Sequence, residues 1–229
     1  MVHQQQPQEY VSIIGLSYLK PITKLLEDLE TFGPKGPNDV QASSTENGYS
    51  ASVIILTMLL VESAIARTQY IRGDKPAKKP LDFVRAAYPN SGFVDLLEGL
   101  FVVRDVIAHN HVWEAQYLWD DQVGMKLVFA ALESGYGDKK FKRVIDHVNR
   151  KTRQLGINLF PTRICREDAR VVLKIAVKFL LFLENKNRRY FYISDQYVRY
   201  RDQSVRFVDL VASLGQGSGK EVANRMINK

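Results

Sequence analysis

Cysteine is almost missing from this chain: Cys165 stands alone among 229 residues. One thiol makes no intramolecular disulfide, so the fold must rest on burial and hydrogen bonding, and the usage fits a reducing cytoplasm. The first residues, "MVHQQQPQEY", lack both the basic start and the apolar stretch of a secretory signal. Long uncharged runs are scarce too. The longest lies in "ASVIILTMLLVESAIA", and its part before Glu62 is too short for a hydrocarbon layer of about 30 Å, so no membrane span is expected. Alternation of strand and helix signals is missing, which excludes a parallel sheet of βαβ units. A nucleotide-binding loop is missing as well: "GQGSGKEV" has Leu214 where the Walker pattern needs glycine and Glu221 where it needs Ser or Thr.

What is present describes a globular chain, with 45% hydrophobic and 25% charged residues. That is enough to bury a real core as one domain with a small extension. A formal charge of +7 suits a phosphate-rich partner, because lysine and arginine that neutralise phosphates release condensed counterions. Charge by itself also describes many proteins that bind no nucleic acid.

Residues 1–8 read as a flexible end. Leu19, Ile22, Leu25, Leu26 and Leu29 recur at helical spacing, with Pro21 at an early turn. "GPKGPNDVQASSTENGYS" is rich in turn formers and reads as a long loop, followed by an all-round apolar helix over 51–66 capped by Ser50 or Asn47. After the basic loop "GDKPAKKP" come a short helix in "LDFVRAAY" and a long one running from Gly92 to Asp121. "MKLVFAALE" reads equally as strand or helix. From Thr162, a cap, a long core helix covers 166–184. The class expected is all-α: a bundle of four to five main helices over 9–186, with room for a small irregular or β insertion near 123–160.

Residues 187–229 form a basic, aromatic extension. It interleaves Arg188, Arg189, Arg199 and Arg201 with Tyr190, Phe191, Tyr192, Tyr197 and Tyr200. Guanidinium planes and rings stack unpaired bases. With Lys78 and Lys79 of the basic loop, these arginines are the candidate nucleic-acid contacts. The plainer account is that the aromatics pack a last helix while the arginines face water.

The feature that most needs explaining is "FVVRDVIAHNHVW", residues 101–113, an apolar helix signal with Arg104, Asp105, His109, Asn110 and His111 set inside it. A buried charge without a partner is costly. On an ideal helix Glu98, Asp105 and His109 share one stripe, while Arg104 and His111 lie on another that is otherwise apolar. Asp105 and His109, at i and i+4, suit a carboxylate that orients an imidazole. Arg104 and His109 are about 7.5 Å apart along the axis and about 140° apart around it, a gap that a second subunit could close. His109 and His111 would point about 200° apart on a helix and cannot chelate one ion, so no metal is assigned. A structural alternative pairs Arg104 with Glu62 or Glu98.

"RDVIAHNH" resembles the signature of HEPN domains, an arginine and a polar residue followed by a histidine after four to six positions. Arg104 and Asp105 match, His109 satisfies the gap of four and His111 that of six. The resemblance implies an HEPN-like helical bundle and a metal-independent endoribonuclease without cofactor. It also implies a homodimer in which two motifs face each other, with Arg104 and His109 catalytic, Asp105 orienting His109, and His111 a second base or substrate contact. RNA, single-stranded or in loops, is then the partner, and a toxin or antiviral defence effector with a neutralising antitoxin or regulatory partner the biological setting. The chemistry suits these residues: histidine exchanges protons near neutral pH, and arginine keeps its charge beside phosphate. The alternative is a non-catalytic HEPN-like module binding RNA, nucleotide or a partner protein.

Overall fold

The computed structural model describes residues 14–33, 42–75, 77, 79–109, 113–122, 124–132 and 139–215. A 3₁₀ turn at Ile14–Tyr18 leads into α1 (Leu19–Leu29), where Pro21 sits in the first turn, a position without an intrahelical donor to lose. Leu19, Ile22, Leu26 and Leu29 are buried, as their spacing predicts.

Helix α2 (Ser44–Arg72) is longer than its apolar run suggests. Its cap is Ser43, whose hydroxyl accepts from the Glu46 N–H at 3.1 Å, so neither Ser50 nor Asn47 caps it. The turn-rich loop therefore ends earlier than expected, because Ser43 begins an S-x-x-E start signal that outranks the polar composition around it. Asn47 instead donates from Nδ2 to the carbonyls of Pro161 (2.6 Å) and Ile164 (3.0 Å). Gly73, at φ 71°, closes the helix in the left-handed conformation that suits glycine. By length and composition α2 could cross a membrane, yet half of its most apolar window is buried inside the protein. It forms the hub of the bundle, touching α1, α3 (Pro80–Ala87), α4 (Phe93–His109) and α6 (Arg166–Lys186).

Helix α6 starts at Cys165, not Thr162. The Cys165 N–H donates to Asp168 Oδ2 at 3.0 Å while its Sγ takes the place a serine hydroxyl usually holds in a capping box. Thr162 lies in the preceding 3₁₀ turn, Pro161–Arg163. A buried ion pair joins the starts of α2 and α6: Arg166 Nε stands 2.9 Å from Glu46 Oε1. Arg166 Nη2 also donates to the carbonyls of Phe32 (2.9 Å) and Gly33 (3.0 Å), so one guanidinium ties α6 to α2 and to the chain leaving α1.

The long helix expected from Gly92 to Asp121 is a correction. α4 stops at His109, and an antiparallel hairpin follows, β1 (Trp113–Asp120) with β2 (Gly124–Leu132), carrying a bulge at Gln116/Tyr117. Pairing with a distant segment across the turn at Gly124 (φ 80°) overrides local helical spacing here. The region near 123–160 thus holds β2, the short α5 (Lys139–Val144) and the small ladder of β3 (Ile145–Asp146) with β4 (Lys151–Thr152). Ile145, Ile157 and Leu159 anchor that segment in the core. Gly99 lets it approach α4, since a Cβ there would stand 3.1 Å from Leu155 Cδ1.

The residues after 186 build a hairpin, β5 (Tyr197–Tyr200) with β6 (Gln203–Arg206), and a short α7 (Phe207–Ser213). Phe191, Ile193, Val198, Phe207, Leu210 and Val211 join the same core as the bundle. The described protein is mostly helical, with three small antiparallel sheets at its margins.

Candidate functional site

Helix α4 turns Leu97, Leu100, Val103 and Val106 inward and all four are buried, so its remaining faces are free to carry polar groups. Arg104 and Asp105 lie in the last two turns and His109 ends the helix, exposed. Arg104 is 35% exposed in its side chain, and it crosses to α2: its Nη2 donates to Glu62 Oε1 at 3.0 Å. Its Nε lies 3.3 Å from Asp105 Oδ1, close enough for ion pairing although without hydrogen-bond geometry. Its Cζ stands 5.7 Å from the Phe101 ring centroid. A glutamate, an aspartate and a ring therefore hold the guanidinium in one attitude while leaving it open to solvent.

Of the two partners the sequence allows for Arg104, Glu62 is the one found. Glu98 pairs elsewhere, with Arg143 of α5 through Oε2 and with Arg85 of α3 at 4.0 Å through Oε1. The Arg104–Asp105 contact crosses the two stripes an ideal helix separates, because a long side chain spans the 100° between neighbouring positions. Asp105 and His109 remain one turn apart on one helix. His111 lies outside the described residues.

Ala51, Ser52, Ile55 and Leu56 of α2 and Ile107 of α4, one turn after Arg104, line an open apolar groove. An open apolar groove is a surface that water covers poorly. Among the described residues no cluster of three or more His, Cys, Asp or Glu is positioned to hold a metal ion. The lone thiol is quiescent: burial, then the Asp168 carboxylate, push Cys165 up to about 12.

The other candidate residues sit away from α4. Lys79 is exposed at the start of α3, and Lys78 lies outside the described residues. Arg188 pairs with Asp195, Arg199 with Asp202 at 3.0 Å, and Arg201 with Glu30, the residue that caps α1. The Arg189 N–H donates to Asn187 Oδ1, and its carbonyl accepts from Arg67. Phe191 is buried and Tyr190 and Tyr200 pack against the core, as the plainer account has it, but from the turn after α6 and from β5 rather than from a last helix, while Tyr197 is exposed.

No family model, curated protein or solved structure gives a significant match to this chain. Function must therefore be argued from the side chains themselves. Sequence reading missed a second polar cluster: Asp95 and Glu98 of α4, Arg143 of α5 and Arg153 beyond β4 surround a cleft of about 350 Å³. Its one visible signal was Glu98, on the same stripe as Asp105 and His109. Arg143 and Arg153 could not be assigned to it, because only the fold of residues 139–155 over α4 brings them there.

Proposed function

We propose that this chain is an HEPN-like, metal-independent endoribonuclease that cleaves single-stranded or loop RNA as a homodimer. The observation that carries the reading is Arg104, oriented by Glu62, Asp105 and Phe101 yet open to solvent, on the same helix as the exposed His109. In the reaction, His109 removes the proton of a 2′-hydroxyl. The freed oxygen attacks the adjacent phosphorus, the bond to the 5′-oxygen breaks, and a 2′,3′-cyclic phosphate forms while an imidazolium protonates the leaving oxygen. Arg104 offers fixed donors to the extra charge on the phosphorus centre. The axial offset between the two side chains on one helix favours a twofold pair, each subunit supplying what the other lacks. The apolar groove of Ile55, Leu56 and Ile107 supports pairing through the α2–α4 side of the bundle. A cytoplasmic toxin or defence effector held in check by a partner is the setting this activity fits.

One observation favours the rival reading, a binding module without catalysis. Asp105 lies against the Arg104 guanidinium and competes with phosphate for it. The two readings separate with labelled RNA in EDTA. The nuclease reading expects cleavage by the wild-type chain and its loss in His109→Ala and Arg104→Ala; intact RNA over a range of salt and pH, or undiminished cutting by His109→Ala, refutes it.

A further inference from the structure

From the start of α5 to the end of the 3₁₀ turn at Pro161–Arg163, residues 139–163 hold eight lysines and arginines against one acidic residue, Asp146. That surplus of seven equals the formal charge of the whole chain, so the rest of the sequence is balanced. Asp146 pairs with none of these cations. Its Oδ1 accepts from the N–H groups of Val148 (3.0 Å) and Asn149 (3.1 Å) and its Oδ2 from Asn149 Nδ2 (2.7 Å), which commits the carboxylate to its own loop. The segment is tied together by its backbone. The Arg153 N–H donates to the Val144 carbonyl (2.8 Å) and its Nε to the Arg143 carbonyl (3.1 Å), while the Leu159 N–H donates to the Arg150 carbonyl (2.9 Å). Lys142, Lys151 and Arg153 are exposed, Arg150 and Arg163 are half-buried, and Arg143 is 64% exposed although Glu98 of α4 holds it. Among the described residues, Lys142, Arg150, Lys151 and Arg153 form no ion pair. By comparison, Arg188, Arg199 and Arg201 each hold a carboxylate. Cations gathered on one surface without carboxylates repel one another, and a polyanion relieves that repulsion.

An aromatic strand adjoins this surface. Burial, and then the neighbouring Arg150 guanidinium, hold Arg163 below the usual arginine range, and Tyr117 of β1 lies near enough to act on it in the opposite sense. Trp119 follows Tyr117 by two residues, beyond the bulge, so the two share one face of the strand about 7 Å apart. Its indole is 75% exposed. We propose that residues 142–163 and the outer part of β1 form one surface for single-stranded RNA, the cations holding phosphates and Trp119 stacking an unpaired base. The choice of RNA among polyanions rests on the ribonuclease reading. The open indole points the same way, because a base stacks on it and a carboxylate-rich chain offers nothing that does. Every group assigned a contact is open to solvent at least in part, so a flexible strand reaches it without rearrangement. The surface also leads toward the proposed reacting groups. Arg143 is held by Glu98, which precedes His109 on α4 by eleven residues, about 16.5 Å along the axis and within reach of a short oligonucleotide.

The test is fluorescence anisotropy of the full chain with a labelled single-stranded 2′-O-methyl RNA, which lacks the 2′-hydroxyl nucleophile and is not cut. About four phosphate contacts predict that log affinity falls with log salt at a slope near −3. The double variant Lys151→Gln, Arg153→Gln should bind at least about tenfold more weakly, with a slope shallower by about 1.4. Trp119→Ala should cost about tenfold and leave the slope unchanged. Lys20→Gln, a loss of one exposed charge on α1, should change affinity by less than about twofold. No binding, a double variant that binds like wild type, or a Trp119→Ala variant without effect overturns the surface. Polyglutamate bound as tightly as the RNA overturns it too, because the face would then be a general polyanion site. If the double variant does not fold, amide chemical-shift mapping of the wild-type chain with the same RNA decides. Shifts at Lys142, Lys151, Arg153 and Trp119 uphold the surface, and shifts confined to other regions overturn it. A chain that cuts RNA but is indifferent to these substitutions refutes the surface alone, and one that binds through them but leaves ordinary RNA intact refutes only the nuclease.

Discussion

Replacing Arg166 with methionine removes the cation of the buried pair and keeps most of its bulk. Glu46, 1% exposed in its side chain, is then left with its charge and no counter-ion. The carbonyls of Phe32 and Gly33 lose their donor too, but both residues are exposed, so water replaces those bonds at little cost. The stranded carboxylate dominates. Breaking one side of a buried pair costs about 3–5 kcal/mol. At roughly 2–4 °C per kcal/mol for a chain of this size, the melting temperature falls by about 6–20 °C. In the double variant Glu46→Leu, Arg166→Met no charge is stranded, and replacing a buried pair with apolar groups is close to neutral. Its melting temperature should recover most of the loss. Calorimetry or circular dichroism at several scan rates reads all three proteins. A single variant that melts within about 2 °C of wild type, or a double variant as poor as the sum of its parts, refutes the claim that this pair is a tightly coupled buried unit.

Arg104→Ala should behave oppositely. Its ion pairs are partly hydrated, so about 1 kcal/mol or less of stability is lost, while RNA cleavage drops at least about a hundredfold; a fall in melting temperature beyond about 10 °C would assign Arg104 a structural role instead. Cys165 should resist a disulfide reagent at pH 8 in the folded protein and react fully after unfolding; fast stoichiometric labelling of the native chain would contradict its place beneath the α6 cap. Glu184 supplies a pH signature. Burial pushes its carboxyl up, but hydrogen bonds from Ser194 and Ile193 outweigh burial and hold it below the usual range. A depressed carboxylate stabilises above its unfolded value and loses that contribution as pH falls. The melting gap between wild type and Glu184→Gln should thus be present at pH 7 and shrink below about pH 4.3. A gap that widens in acid would refute this.

The helices written in long 3.6-residue patterns were legible: α1, the body of α2, α3, the first four turns of α4 and α6 all follow from apolar spacing. Their ends were less so. Ser43 and Cys165 cap helices whose apolar faces begin several residues later, and a cysteine in a capping box has no place in the usual cap signals. The stretch beginning at Trp113 was misread because strand pairing is decided by a partner strand, up to 19 residues away at Trp113↔Leu132, whereas helical spacing is judged locally. At the candidate site, Arg104, Asp105 and His109 stood out as polar groups in an apolar run, and Glu62 was among the partners foreseen. Arg143 and Arg153 carried no such mark, being ordinary basic residues until the chain folds them over Glu98.

Helix α2 carries Glu46 near its start and Glu62 sixteen residues later, about 24 Å along one unbroken rod. The first is clamped by Arg166 and the second steers Arg104. Packing of α2 against α1, α3, α4 and α6 holds that rod along its whole length, so the bundle and not the clamp alone fixes the spacing of its two carboxylates. The Arg166→Met protein, while folded, should accordingly leave the Arg104 side-chain resonance in place.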